Sequence, residues 1–301
     1  MSDTTGLVIA THGRHYQVEM ADGSVRHCFP RGKRAAAAAV GDQVRISLQG
    51  QTEGAIEAVL PRRNLLYRSD AQRSKQFAAN LDQLLLVVAT VPSFSDDLLG
   101  RTLVAAHSAD IAPLIVLNKI DQLAALPEAR RRLAPLADLG VPVIEVSAHD
   151  AEQARERLIP HLAGRASILL GQSGMGKSTL LNALVPEANA ATREHSEALD
   201  AGRHTTTSTR LYHLPAESSG GTVIDSPGFQ GFGLQHLSDS EVTHGFPEFT
   251  DPTRDCRFYN CSHRHEPGCG VLAALQEGRI SPERHALYQR ILDENKAGER
   301  Y

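Results

Sequence analysis

Residues 1–62 alternate apolar and polar side chains in five short runs, Gly6–Ala10, Tyr16–Met20, Ser24–Phe29, Asp42–Leu48 and Gly54–Leu60. Period-two alternation predicts strands that bury one face only. Turn residues such as Asp22 and Gly23 separate the runs and favour hairpins. Five strands in so short a segment suit a small barrel of the OB type. The run Ala35–Ala39 breaks the alternation and is expected as a short helix or loop.

The pattern then changes. Pro61–Asn64 ends the first module, and the polar stretch Arg68–Lys75 reads as a linker or mobile loop. Beyond it lie the strand candidates Leu81–Val91, Pro113–Asn118, Val141–Val146, Ser167–Leu170, Arg210–Leu214 and Thr222–Asp225. The unbroken apolar run Leu84–Ala89 is what a strand covered on both faces shows. Alternation with helical segments predicts an α/β domain with a mostly parallel sheet. After residue 237 strand patterns stop. A helix is expected around Val271–Glu277, then another opening with Ser281 as N-cap and Pro282 in its first turn. Its residues Leu287, Tyr288, Ile291 and Leu292 share a face, predicting that it packs back onto its own module. The expected division is a barrel over 1–64, a linker over 65–80, the α/β domain over 81–236 and a mainly helical module over 237–301.

Composition narrows the classes. No run approaches the length of a membrane helix, and the start of the chain lacks the basic and apolar regions of a signal peptide. A cytoplasmic protein without membrane association is expected. The formal charge of −4 argues against a uniformly nucleic-acid-binding surface but leaves local patches, of which Arg31, Lys33 and Arg34 are candidates for RNA contact. Arginines number 26 and lysines 5, and two of those lysines, Lys119 and Lys177, fall inside motifs. Four cysteines in a chain of 301 residues without a secretory signal do not make a disulfide framework. Cys28 reads as a small apolar strand residue.

Two segments carry the chemistry of a guanine-nucleotide site. Ser167–Leu170 runs into Gly171, Gln172, Ser173, Gly174, Met175, Gly176, Lys177 and Ser178, and a helix continues from Thr179. In such a phosphate loop backbone N–H groups converge on the phosphates at a helix N-terminus, Lys177 reaches the β- and γ-phosphates, and Ser178 ligates Mg²⁺. Asn118, Lys119, Ile120 and Asp121 end another strand, where open α/β sheets collect ligands. Asp121 can accept both N–H donors of guanine, Asn118 can meet the N7 and O6 side, and the Lys119 stem can lie along the base. Adenine presents a donor where guanine has an acceptor, so this set selects GTP. Ser147 and Ala148, ending the next strand, resemble the loop that touches guanine O6 in GTPases.

Asp225 to Gly228 reads DSPG and resembles the DxxG motif. Asp225 is expected to hold Mg²⁺ through water and the Gly228 N–H to sense the γ-phosphate. Gly202–Thr207 is the natural first switch, where one threonine, Thr205 or Thr206 among them, would reach Mg²⁺ and the γ-phosphate. Phe229 stands where many GTPases place the glutamine that orients water. His236 is the nearest substitute to position or deprotonate that water.

The base-reading motif precedes the phosphate loop, the reverse of the Ras-like order, which implies a circular permutation. In chain order the Asp225 motif adjoins the C-terminal module and the base reader lies toward the barrel. This order predicts that loss of the γ-phosphate is relayed straight into the C-terminal module.

Cys256, Cys261, His263 and Cys269 supply three thiolates and an imidazole, enough for a closed tetrahedral Zn²⁺ site of structural type. Metal binding there would fold a segment poor in apolar residues. His265 is a nearby competitor for the fourth ligand.

The barrel, the NKxD motif ahead of GxxxxGKS, the GRHTTT and DSPG strings and the Cys–His pattern together resemble the circularly permuted ribosome-biogenesis GTPases of the RsgA/YjeQ family over nearly the whole chain. That pattern favours His263 as the fourth ligand. The resemblance implies an α/β, circularly permuted P-loop GTPase domain flanked by an OB-like barrel and a zinc-binding helical module. It implies hydrolysis of GTP to GDP in late maturation of the small ribosomal subunit, with Mg²⁺ and one Zn²⁺, and contacts from both flanking modules to rRNA. A monomer is expected. Where the family often has an aromatic before His236, this chain has Gln235, which bears on local packing. The alternative is a GTP-dependent switch acting on a non-ribosomal RNA or protein.

Overall fold

The computed structural model describes residues 4–31, 37–69, 74–188, 209–216, 220–227 and 232–298. β1 (Thr4–His12), β2 (His15–Met20), β3 (Val25–Pro30), β4 (Gln43–Gln49) and β5 (Glu53–Val59) pair in the order β1-β2-β3-β5-β4. β4 returns to β1 through the pairs Thr4–Ile46 to Leu7–Gln43, which closes the barrel. The inward positions of the alternating runs, Val8, Val18, Cys28, Val44 and Ile46 among them, form its separate core. Burial pushes the Cys28 thiol up to about 11, as expected of a packing residue. Residues 37–39 of the alanine run lie outside any helix or strand, with Ala38 and Ala39 buried.

The stretch expected as a linker carries an antiparallel pair, β6 (Leu65–Ser69) and β7 (Ser74–Ala79). Its polar centre hid this in the sequence. The pair is anchored at its other end, where Leu66, Phe77, Ala78 and Ala79 are buried.

β8 (Gln83–Ala89), β9 (Ala112–Asn118), β10 (Val143–Glu145), β11 (Ala166–Leu170), β12 (Arg210–His213) and β13 (Thr222–Asp225) form the second sheet region, ordered β10-β9-β8-β11-β13-β12. Every strand pair in it is parallel except β12 with β13. β8 is buried along its whole length, as its unbroken apolar run required. The helices are α1 (Asp96–Ser108), α2 (Leu126–Asp138), α3 (Ala151–Leu162) and α4 (Lys177–Leu184). The registers Ala89–Asn118 and Leu86–Leu170 bring the ends of β9 and β11 to one edge, flanking β8.

β12 meets β1 through the single pair Ala10–Arg210, so the barrel adjoins the β12 side of the sheet. The base-reader strand β9 lies toward the opposite edge. The expectation that the base reader sits toward the barrel holds along the chain but not in space, because the β11–β13–β12 half is inserted between them.

The last module contains α5 (Asp239–His244), a short 3-10 turn at Pro247–Phe249, α6 (Thr250–Arg254), α7 (Gly270–Gln276) and α8 (Pro282–Gly298). The Arg284 N–H donates to Ser281 Oγ at 3.1 Å, as expected of the N-cap. Leu287, Tyr288, Ile291 and Leu292 are buried, and Tyr288 packs edge-on against Phe246 and Phe249. The same helix also docks on α1. An added Cβ on Gly100 would lie 2.5 Å from Leu287 Cδ2, Arg101 makes bonds of 2.7 and 2.6 Å to Glu294, and Arg290 bonds Asp97 at 2.7 Å. Packing is thus shared with the GTPase-like domain rather than confined to its own module. Among the described residues no helix is long and apolar enough to cross a membrane.

Candidate nucleotide site and metal centre

Three glycines shape the turn after β11. Gly171, Gly174 and Gly176 have φ of 149°, 81° and 91°, values that favour glycine. Two of them also admit close neighbours. A Cβ on Gly171 would meet Val87 O at 2.3 Å, and one on Gly176 would meet Asn118 Nδ2 at 2.2 Å. Gly176 is the N-cap of α4, so the helix begins where its free N–H groups can meet phosphate.

The loop and the base reader touch directly. Asn118 Nδ2 donates to Met175 O at 2.9 Å, and Lys119 Nζ donates to Gly174 O at 2.8 Å and Val91 O at 2.9 Å. Asn118 Oδ1 accepts from the Ala148 N–H at 2.9 Å and the Lys119 N–H at 2.8 Å. Ser147 Oγ donates to Asp121 Oδ1 at 2.7 Å. That bond, aided by Gln122, holds the Asp121 carboxyl below its ordinary range, so it stays an acceptor facing solvent. Ile120 is half-buried against the core, while Asp121 itself is exposed.

Lys177 is buried and donates to Gly171 O at 2.7 Å and Gln172 O at 2.9 Å. Desolvation pulls its pKa down and the Asp225 carboxylate opposes that shift. Asp225 ends β13 in register with Leu169 of β11, which puts it on the same edge as the phosphate loop. Ser226 Oγ fastens this end to Leu169 O at 2.6 Å. Ser173, Ser178 and Thr179 are exposed, open to a ligand.

Thr205, Thr206 and Gly228 lie outside the described residues, as do Phe229, Lys33 and Arg34. His236 is described, and it is not brought to the phosphate loop. Its ring packs on Tyr67 at 5.1 Å beside a cleft of about 470 Å³ lined by Arg63, Ala105, Ser108 and Asp110. These mark the end where β8 and β9 begin, whereas the phosphate loop follows the end of β11. Desolvation lowers the His236 pKa, with Glu241 opposing.

Several supporting residues escaped the sequence reading. Thr90 Oγ1 donates to Lys119 O at 2.8 Å, Gln153 Oε1 accepts from the Ser147 N–H at 3.1 Å, and Gln172 Oε1 accepts from the N–H of Ser95, the N-cap of α1, at 2.9 Å. No motif string announces Thr90, Gln153 or Ser95: Thr90 and Ser95 bond segments remote in sequence, and Gln153 bonds Ser147 six residues away.

Cys256, Cys261, His263 and Cys269 bring their ligand atoms within 4.8 Å of one another. A tetrahedral zinc ion with metal–sulfur bonds of about 2.3 Å and metal–nitrogen bonds of about 2.0 Å sets S···S edges of about 3.8 Å and S···N edges of about 3.5 Å. Cys256 Sγ stands 4.0 Å from Cys269 Sγ, and each is 3.5 Å from His263 Nδ1, so the donor set fits. Among the described cysteines none is in a disulfide. His265 is exposed and outside the cluster. Backbone N–H groups of Gly270 and Leu272 donate to Cys256 and Cys269 sulfur at 3.4 and 3.5 Å, which suits thiolates.

Comparison with known proteins agrees with this geometry. The profile of the RsgA GTPase family matches residues 59–235. The small ribosomal subunit biogenesis GTPase RsgA of Bordetella pertussis is 69% identical over 98% of this chain and 98% of its own length. The protein of the same name from Burkholderia pseudomallei is 59% identical, covering 96% and 91%. Among solved structures, YjeQ from Thermotoga maritima superposes with a TM-score of 0.71 at 31% identity, covering 97% of this chain and 98% of that one. YloQ, a circularly permuted GTPase, gives 0.71 at 28% identity, covering 98% and 96%. With its two nucleotide motifs joined in permuted order at one edge of the sheet, the chain belongs to the RsgA GTPase family and is a GTP-hydrolysing P-loop GTPase.

Proposed function

We propose that this GTPase acts in maturation of the small ribosomal subunit in the cytoplasm, as a monomer that meets the subunit and its rRNA through the barrel and the metal module. The observation that carries the nucleotide half is the direct bonding of Asn118 and Lys119 to the phosphate loop, which makes base reading and phosphate binding one rigid site. The ribosomal half is supported by the names of relatives that match along nearly the whole chain.

In this reading the nucleotide's phosphates exchange for the loop carbonyls as partners of Lys177. Asn118, Asp121, Ser147 and Ala148 hold guanine. Ser178, with Asp225 through water and a switch threonine, holds Mg²⁺, which when bound neutralises charge on the β- and γ-phosphates. Gly228 senses the γ-phosphate. Cys256, Cys261, His263 and Cys269 hold one structural Zn²⁺. His236 orients or deprotonates the attacking water, which requires the segment after Asp225 to carry it away from Tyr67.

GTP turnover measured with and without purified small subunits tests the assignment. Stimulation together with nucleotide-dependent co-sedimentation is expected. Absence of both would leave a GTPase acting on some other RNA or protein. His236→Ala should lower turnover far more than GTP affinity, and unchanged turnover would remove His236 from the chemistry.

A further inference from the structure

The metal module turns outward an aromatic side chain that the fold does not use. Tyr259, between the ligands Cys256 and Cys261, is 103% exposed, and Phe258 beside it is 41% exposed. The Arg257 guanidinium lies 5.6 Å from the Phe258 ring centroid. Three neighbouring charged side chains find partners within the module, whereas Asp255 is exposed. Arg254 pairs with Asp251 at 3.0 Å, and Arg264 with Asp293. Glu266 accepts from Ser262 and from the N–H groups of Arg264 and His265 at 3.1 and 3.2 Å. Arg257 has no carboxylate partner among the described residues.

The loop is also held in place. The Arg257 N–H donates to Gly268 O at 2.9 Å and the Cys261 N–H to Phe258 O at 3.3 Å, with metal ligands at either end. A ring presented by a fixed backbone loses little further freedom on binding. An exposed aromatic face next to an uncommitted guanidinium matches an unpaired base and its phosphate, because stacking tolerates any base while the cation meets the backbone. Duplex RNA hides its base faces, so the matching partner is single-stranded.

We propose that Arg257, Phe258 and Tyr259 form a stacking site for an unpaired base of single-stranded RNA. The assignment rests on the ribosomal reading only for which RNA supplies the base.

The chain contains no tryptophan, so Tyr259→Trp in the metal-loaded full chain gives a single reporter at the site. Its fluorescence should be quenched by a short single-stranded RNA and not by the same RNA annealed to its complement. Tyr259→Ala should weaken binding of that single strand about tenfold and Tyr259→Phe should restore it, with metal content and basal GTP turnover unchanged. Quenching by RNA-free subunit proteins in place of RNA, or an unquenched reporter with Tyr259→Ala binding as tightly as the parent, overturns the proposal. If subunits stimulate parent and Tyr259→Ala alike and leave the reporter unquenched, the stacking site falls and the ribosomal function stands. If subunits stimulate neither while single-stranded RNA still quenches, the reverse holds.

Discussion

At Gly176 the chain omits a side chain so that two motifs can touch. Its φ of 91° and the 2.2 Å approach of Asn118 to an added Cβ leave no room for alanine. Left-handed strain alone costs an alanine about 1–2 kcal/mol, and Asn118 would have to leave Met175. Gly176→Ala should lower both thermal stability and GTP affinity, read by a melting curve and a nucleotide titration. Retained affinity would show that the close approach is dispensable. In its proposed role Asp121 acts by acceptor geometry, fixed by Ser147. Asp121→Asn replaces an acceptor by an amide donor facing the N–H groups of guanine, so competition between GTP and xanthosine triphosphate should shift toward the latter; unchanged preference would refute the base-reader role. These residues were legible as strings because each motif is local. Thr90 and Ser95 were not, since their bonds span 29 and 77 positions and a lone hydroxyl in sequence signals nothing.

Among the helices, α8 was legible from its apolar face, but its docking on α1 was not. The docking depends on Gly100, where the absent side chain admits Leu287, and on ion pairs whose partners stand 193 positions apart. The hairpin β6–β7 was missed for a related reason: polar residues fill its centre while only its far end is anchored in the core. Within the last module Arg284 donates to Glu248 at 2.6 and 3.3 Å, with side-chain exposures of only 12% and 4%, and the same guanidinium lies 4.4 Å from the Phe246 ring centroid. Removing one partner of such a buried pair leaves the other charge desolvated, which typically costs about 3–5 kcal/mol. Glu248→Ala should therefore destabilise the chain by about that amount in urea unfolding, while replacing both residues by methionine should recover much of it. A loss near that of a surface pair, about 0–1 kcal/mol, would mean that water reaches the site.

The permuted chain order and the spatial order of the molecule disagree, and each predicts its own route for nucleotide state. In sequence the Asp225 motif runs toward the metal module. In space β13 stands beside β12, which joins the barrel through Ala10–Arg210, while the metal module rests on α1 through Leu287, Arg290 and Glu294. α1 in turn is capped by Ser95, whose N–H donates to Gln172 of the phosphate loop. A change in that loop on GTP binding can thus reach α8 through one rigid helix, without passing along the segment after Asp225. Hydrogen exchange of Pro282–Gly298 should then differ between GDP and a non-hydrolysable GTP analogue. In Gln172→Ala, with nucleotide kept saturating in both states, that difference should shrink, because the loop no longer holds the N-terminus of α1. A difference that persists undiminished in Gln172→Ala would assign the coupling to the chain between Asp225 and α5 instead, and no difference in the parent would show that the metal module keeps its place through the cycle.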